Sequence, residues 1–262
     1  MKYLKYFESS VSIKDICDRY HIDNYRIKED GSVDVDGNVF LNERRLYRIP
    51  IRFSSVTGHF DCSDNRLSTL EGAPTSAGGD FMCHDNILGS LEGGPEYVGG
   101  DFSCNTNKLK SLLGSPKELG GYFYCGGNEL VTLEGAPKRV RGFYCQQNQL
   151  TSLIGSPEIV SGDFYCHLNK LTSLQGGPKE VGGDFDCENN RLTTLMGAPE
   201  EIGTDFDCDD NPLPKEIKDN MEYINKIVKY QYDYNIWRRD GTLDKYRFSD
   251  MMKEILEEET NI

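Results

Sequence analysis

The stretch GGDFDCENNRLTTLMGAPEE, residues 182–201, contains the pattern that decides the fold. From Phe185 to Pro199 it reads F-x-C-x-x-N-x-L-x-x-L-x-G-x-P. The same spacing returns along the chain, with cysteines at positions 62, 83, 104, 125, 145, 166, 187 and 208. Successive cysteines are 21 residues apart, except for one interval of 20. A fixed period in this range is typical of a solenoid, in which each short unit buries its apolar side against its neighbours.

The residue types of the repeat predict how one coil is built. Phenylalanine and cysteine, two residues apart, point to the same side of a short strand, and the two leucines continue that apolar side. The Gly-x-Pro segment supplies a turn on the opposite side of the coil. The asparagine can hydrogen-bond backbone groups at a bend, so we expect a column of asparagines along the array.

This spacing resembles the leucine-rich repeat family, whose unit is L-x-x-L-x-L-x-x-N-x-L, with phenylalanine and cysteine in the second and third leucine positions. The resemblance covers residues 60 to 213, and the repeat length and the proline are similar to those of short bacterial repeats. The cysteine-rich version is also similar to repeat proteins encoded by bacteriophages and some bacteria. The resemblance implies an α/β solenoid, a leucine-rich repeat array with a parallel β-sheet on its concave face.

Solenoids need caps, and both ends of the chain change composition. Residues 1–58 are predicted to be an N-terminal capping region with a helix, a hairpin and a degenerate first repeat, and residues 59–213 the solenoid. A capping box is expected at Ser12–Asp15, and a tight turn at Asp30–Gly31. Residues 214–262 are predicted to be a C-terminal helical cap, with helices over about 215–236 and from Phe248 to Leu256. An alternative is that these helices bind a partner or oligomerise, with Trp237 at their joint.

The composition limits the choice of compartment and partner. The formal net charge is -14, which disfavours direct binding to nucleic acid and favours a protein partner with a basic surface. No apolar run reaches the ~18 residues of a membrane span, and the start MKYLKYFESS lacks the apolar core of a secretion signal. Nine cysteines then indicate reduced thiols in the cytoplasm, or in the host cytoplasm if a phage encodes the protein.

The sequence contains no pattern that points to catalysis or to a bound cofactor. No two cysteines of the series are nearer than 20 residues, which argues against a zinc cluster and for buried structural thiols. His84 and His167 each follow a cysteine, but neighbours on a strand face opposite sides and cannot act as a pair. The motif Asp34-x-Asp36-x-Asn38 departs from a calcium loop and is read as a turn. We therefore expect no enzyme activity, no cofactor and no metal.

The variable residues beside phenylalanine and cysteine are predicted to face outward from the strands. In the middle of the array several are tyrosines, and in the last two repeats several are acidic. The predicted partner-binding residues are Tyr122, Tyr124, Tyr144, Tyr165, Asp184, Asp186, Glu188, Asp205 and Asp207. Tyrosine is enriched in interfaces and clustered carboxylates steer basic partners, although the same residues could be no more than a solvated surface.

The sequence thus favours a non-catalytic module that binds a protein on its concave face, for example a phage-encoded inhibitor of a host defence protein. The alternative is an acidic decoy that mimics nucleic acid and blocks a DNA- or RNA-binding protein. An effector with an attached enzyme domain ranks last, because few residues follow Pro214.

Overall fold

The computed structural model describes residues 11–260, and the chain divides into two compact units. The first unit holds the residues up to Lys108 together with Gly114–Gly121. The second holds Leu109–Leu113 and the residues from Tyr122 onward. The segment MKYLKYFESS, on which the expectation about a secretion signal rests, lies outside the described residues.

The first unit opens with the predicted helix and hairpin. Helix α1 (Ile13–Tyr20) begins at a complete capping box, since the Ser12 side chain accepts a hydrogen bond from the Asp15 backbone and Asp15 reaches back to Ser12. Strands β1 (Tyr25–Ile27) and β2 (Val33–Val35) then pair antiparallel. Asp30 holds the turn between them by accepting the backbone N–H of Ser32. Both local predictions are confirmed.

Each repeat of the first unit contributes one short strand to each of two parallel sheets. The front sheet contains β3 (Val39–Phe40), where Val39 takes the phenylalanine position, and the phenylalanine strands β5 (Phe60–Asp61), β7 (Phe81–Met82) and β9 (Phe102–Ser103). The back sheet continues from β1 and β2 through β4 (Phe53–Val56), β6 (Ser76–Ala77), β8 (Tyr97–Val98) and β10 (Glu118–Leu119). Parallel pairing already joins β2 to β4 and β3 to β5, so coil stacking starts ahead of residue 59.

The second unit repeats this arrangement. Its front strands are β11 (Tyr122–Tyr124), β13 (Gly142–Tyr144), β15 (Phe164–Tyr165), β17 (Phe185–Asp186) and β19 (Phe206–Asp207). Its back strands are β12 (Arg139–Val140), β14 (Ile159–Val160), β16 (Glu180–Val181) and β18 (Glu201–Ile202). The register places each phenylalanine beside the phenylalanine of the next coil. The predicted solenoid of parallel-strand coils is confirmed.

The repeat phenylalanines, cysteines and leucines form the core, as predicted. Phe164 and Phe185 are fully buried, and their rings stack with centroids 5.2 Å apart. All nine cysteines are buried. Burial raises the pKa of seven of the repeat thiols, that of Cys208 to about 12. The cysteines therefore fill space as neutral thiols between the phenylalanine and leucine columns.

The asparagine column supplies the hydrogen bonds that the bends of the coils lack. Asn190 Nδ2 donates to the carbonyl oxygens of Cys166 and Cys187, each at 3.0 Å, and its Oδ1 accepts the Leu171 N–H at 3.0 Å. The residue before it, Asn189, has a left-handed backbone with φ of 52°. One amide side chain thus ties its own coil to the preceding one, and this bonding recurs in both units.

The second unit ends in helices, but the first predicted helix is shorter than expected. Residues 215–236 form helix α2 (Lys215–Lys218), a 3-10 turn at Met221–Tyr223 and helix α3 (Ile224–Tyr230), so a continuous helix there is wrong. The break lies at Asn220, whose side chain donates to the Glu216 carbonyl at 2.8 Å and satisfies the end of α2. Helix α4 (Lys245–Thr260) confirms the second prediction.

Helix α3 caps the last coil, because it supplies a hydrogen bond that the next coil supplies elsewhere in the array. The Phe206 N–H donates to Asn225 Oδ1 at 2.9 Å, whereas the equivalent N–H of Phe185 donates to the Asp205 carbonyl of the next coil. Trp237 lies half-buried and donates to Gln231 Oε1 at 2.7 Å. Within residues 11–260 no helix is long and apolar enough to cross a membrane.

Candidate protein-binding face

The front sheet of the second unit brings most of the predicted partner-binding residues into one register. Paired positions on neighbouring strands align Tyr124 with Tyr144, Tyr144 with Tyr165, Tyr165 with Asp186, and Asp186 with Asp207. We call Tyr122, Tyr124, Tyr144 and Tyr165 the tyrosine cluster, and Asp186, Glu188 and Asp207 the acidic group. Since side chains alternate along a strand, these residues point away from the buried phenylalanines.

The rings of the tyrosine cluster contact one another closely. Tyr124 and Tyr144 stack with ring centroids 4.8 Å apart, and Tyr144 meets Tyr165 edge to face at 5.1 Å. Tyr122 lies 6.0 Å from Tyr144. All four side chains are partly exposed. Such ring pairs stabilise one another by about 0.5–1.5 kcal/mol beyond burial, so the cluster is held in place before any partner arrives.

A glycine makes room for this cluster. In the second unit the position before each front-strand phenylalanine carries Tyr122, Gly142 or an aspartate. A Cβ atom on Gly142 would lie 2.6 Å from Cδ1 of Tyr122 and 3.1 Å from Cε2 of Tyr144. The Arg141 guanidinium lies over the Tyr122 ring, 5.3 Å from its centroid. The sequence analysis did not predict a role for Gly142 or Arg141. Gly142 could have been noticed, because it is the one glycine at the position before a front-strand phenylalanine.

Asp163 orients one of the tyrosines. Tyr144 Oη donates a hydrogen bond to Asp163 Oδ2 at 3.1 Å. Burial and the neighbouring Asp163 charge raise the pKa of Tyr144, and burial also raises that of Tyr165. The phenols are therefore neutral donors at physiological pH. Asp163 was not predicted as a site residue, although Asp184 and Asp205 at the same repeat position were.

Asp184 faces the surface and also links neighbouring coils through hydrogen bonds. Its Oδ1 accepts the backbone N–H of Asp205 at 3.2 Å and the hydroxyl of Thr204, and Asp163 in turn accepts the N–H of Asp184 at 3.1 Å. One carboxylate oxygen of Asp184 is thus occupied in linking coils. Asp205 is exposed at the end of this column.

The acidic group adjoins the tyrosines through a histidine. His167 Nδ1 lies 2.7 Å from Asp186 Oδ2, an ion-pair distance without the alignment of a hydrogen bond, and its ring centroid is 6.1 Å from that of Tyr165. Burial is the main cause that raises the pKa of Asp186. Burial and the charges of Asp186 and Asp207 raise the pKa of Glu188. These carboxylates crowd one another, so a cation that arrived between them would relieve repulsion.

A groove of about 710 Å³ lies beside the acidic group, between β19 and the C-terminal helices. Asp207, Asp209, Tyr223 and Lys226 are among its lining residues. The groove extends the candidate face towards the C-terminal helices.

Two other groups of polar residues do not belong to this face. Asp34 contacts Arg26 and accepts from Ser55, and Asp36 accepts from Thr57, so Asp34-x-Asp36-x-Asn38 is tied into the coil. Potential metal ligands come together in the first unit instead, at Asp64, His84 and Asp85.

Comparison with known proteins does not assign the chain to a family. No protein-family model matches the sequence, and no curated protein matches it. Among solved structures, YopM from Yersinia enterocolitica is similar, with 16% sequence identity and a TM-score of 0.33. The similarity covers 67% of this chain and 52% of that chain, so the alignment spans about half the length of YopM. At this level of similarity the function has to be inferred from the residues of the face.

Proposed function

We propose that the chain is a non-catalytic protein-interaction module that binds a partner with a basic surface on the front sheet of its second unit. Stacked-coil solenoids are a class of scaffold whose extended surfaces bind other molecules. The observation that carries the proposal is the tyrosine cluster: four contacting, partly exposed rings, aligned with Asp186 and Asp207 on the following strands.

The energetics of binding favour this arrangement. Interface energy concentrates in a few aromatic residues that lose little freedom on binding, and the cluster's rings are already packed together. Tyr144 is further fixed by Asp163. The net charge of -14 would speed the approach of a basic partner, with the acidic group setting its orientation beside the rings.

The test compares two triple variants of the full chain in affinity capture from a bacterial lysate. Tyr124→Ala, Tyr144→Ala and Tyr165→Ala remove the cluster. The matched control removes three tyrosines elsewhere, Tyr47, Tyr97 and Tyr246, which are 68%, 46% and 76% exposed. We expect the control to capture the same protein as the wild type and the cluster variant to lose it. Equal capture by both variants would contradict the assignment of this face.

The biological role that we propose is inhibition of a host defence protein by a phage-encoded factor. The support is the resemblance of the cysteine-rich repeat to phage proteins, and nine buried cysteines suit the host cytoplasm. Expression of the protein should restore plaque formation by a phage that a defence system restricts, and the cluster variant should not. If the cluster variant also restored plaque formation, the tyrosine cluster would not be needed for this role.

The second candidate, a decoy that mimics nucleic acid, is favoured by the charge of -14. Strand pairing on this face, however, aligns only two carboxylates with each other, Asp186 and Asp207, while three neighbouring strands carry tyrosines. A decoy should lose affinity steeply with added salt, as phosphate contacts do, whereas a tyrosine-centred interface should lose less. Measuring the dissociation constant at low and high salt distinguishes the two.

A further inference from the structure

Asp64, His84 and Asp85 form a compact group of side chains on the first unit. Each offers one oxygen or nitrogen atom, and the three atoms all lie within 4.8 Å of one another. The side chains of His84 and Asp85 are 28% and 46% exposed, so water and ions reach them. Among the described residues this is the single cluster of three potential metal ligands that contains a histidine.

The repeat itself brings the three residues together. Asp64 and Asp85 occupy the same position in successive coils, two residues after Cys62 and Cys83, and both have a left-handed backbone with φ of 54° and 52°. The Asp64 N–H donates to the His84 carbonyl at 3.1 Å. The side chain of Asn86 donates to that same carbonyl at 3.1 Å. The backbone beneath the group is therefore fixed by the asparagine column, and only the side chains have to adjust.

We propose that Asp64, His84 and Asp85 bind one divalent transition-metal ion such as Zn²⁺ or Co²⁺. His84 Nδ1 and Asp85 Oδ2 are 2.9 Å apart. Two ligands about 2.1 Å from a shared ion are roughly 3.0–3.4 Å apart, so this pair already has nearly the required spacing. Imidazole and carboxylate together suit zinc, cobalt and nickel, and water would complete the coordination.

The neighbouring thiol is not part of this site. Cys83 directly precedes His84, but its side chain is fully buried, whereas those of His84 and Asp85 are partly exposed. The site therefore has nitrogen and oxygen ligands, which gives it a spectroscopic signature different from that of a cysteine site.

The first unit also contains a matched control. His59 Nδ1 lies 3.2 Å from Asp80 Oδ2, and the His59 side chain is 44% exposed. This pair has the same residue types as His84 and Asp85, but His59 Nδ1 accepts the Asp80 backbone N–H at 2.9 Å, and no second carboxylate joins the pair in a three-ligand group. If any exposed histidine–aspartate pair bound the ion, His59 and His84 would contribute equally.

The experiment titrates the full-length, reduced protein with Co²⁺ by calorimetry and visible absorption. We expect one equivalent to bind with a micromolar dissociation constant, about tenfold or more weaker binding in His84→Ala and Asp64→Asn, and no change in His59→Ala. Binding that His84→Ala and Asp64→Asn leave unchanged, or no binding at millimolar Co²⁺, would overturn the proposal. So would the strong near-ultraviolet band of a cobalt thiolate.

A folding defect in a variant is kept apart from loss of the ion by a second measurement. Side-chain nitrogen spectra of the wild-type protein should show the His84 ring signals shifting on addition of Zn²⁺, while those of His59 stay in place. Unshifted His84 signals at saturating Zn²⁺ would count against the site even if every variant folds poorly.

Discussion

Replacing Asn169 with alanine tests the asparagine column directly. Asn169 Nδ2 lies within hydrogen-bond distance of the Cys145, Cys166 and His167 carbonyl oxygens, at 3.1, 3.1 and 3.3 Å, and its Oδ1 accepts the Leu150 N–H at 2.9 Å. The amide has only two hydrogens for three acceptors, so about three full bonds are lost. At about 1 kcal/mol each, with a further cost for leaving the buried Leu150 N–H unpaired, we expect a loss of about 3–5 kcal/mol.

The assay is urea unfolding of Asn169→Ala, followed by the fluorescence of Trp237, the chain's one tryptophan. Trp237 belongs to the second unit, as does Asn169, so its signal reports unfolding of the same body. The control is Gln149→Ala, an exposed amide in the neighbouring coil, which should change stability by less than about 0.5 kcal/mol. If the two variants unfold at the same urea concentration, the asparagine column does not stabilise the coils as argued.

Three further predictions concern the core and the acidic group. Leu192→Ala truncates a fully buried side chain and should cost about 2–5 kcal/mol in the same unfolding assay; a loss below about 1 kcal/mol would mean that the coil closes around the void. A thiol reagent should label the native protein slowly, because the nine cysteines are buried, and should reach all nine after denaturation; rapid native labelling would contradict their packing role. Burial raises the pKa of Asp186, so its charge destabilises the folded state at neutral pH, and this penalty is lost as the pH falls through the folded-state pKa. Asp186→Asn should therefore raise the melting temperature near neutral pH, with a gain that shrinks at acidic pH; a gain that does not depend on pH would refute the electrostatic explanation.

The sequence was sufficient for the coil because the same residues recur at one spacing. Phe185, Cys187, Asn190 and Leu192 each have one role, and the structure gives those roles to their equivalents in both units. The back strands were not predicted as strands, because a two-residue segment such as Glu180–Val181 is too short to show an alternating pattern. The first C-terminal helix was predicted too long because its apolar spacing continues across the break at Asn220.

The binding face was harder to predict because it depends on differences between coils. The tyrosines could be chosen from the sequence, but Gly142, which makes room for Tyr122, matters only once neighbouring strands are in register. Asp163 occupies a position that links coils in neighbouring repeats, so its hydrogen bond to Tyr144 could not be separated from that general role. His167 was dismissed with its cysteine neighbour, whereas its contact is to Asp186 in the next coil.

The asparagine column has a consequence for how such a protein changes over evolutionary time. The amides hold the backbone through contacts that do not involve the residue between phenylalanine and cysteine. That residue is aspartate, methionine, serine or tyrosine in different repeats, while the backbone bonding stays the same. Point mutations at these positions can therefore change the surface one coil at a time, while the asparagine bonds that hold the backbone stay in place. A protein in conflict with a changing target would gain from this separation of adaptable surface and invariant frame.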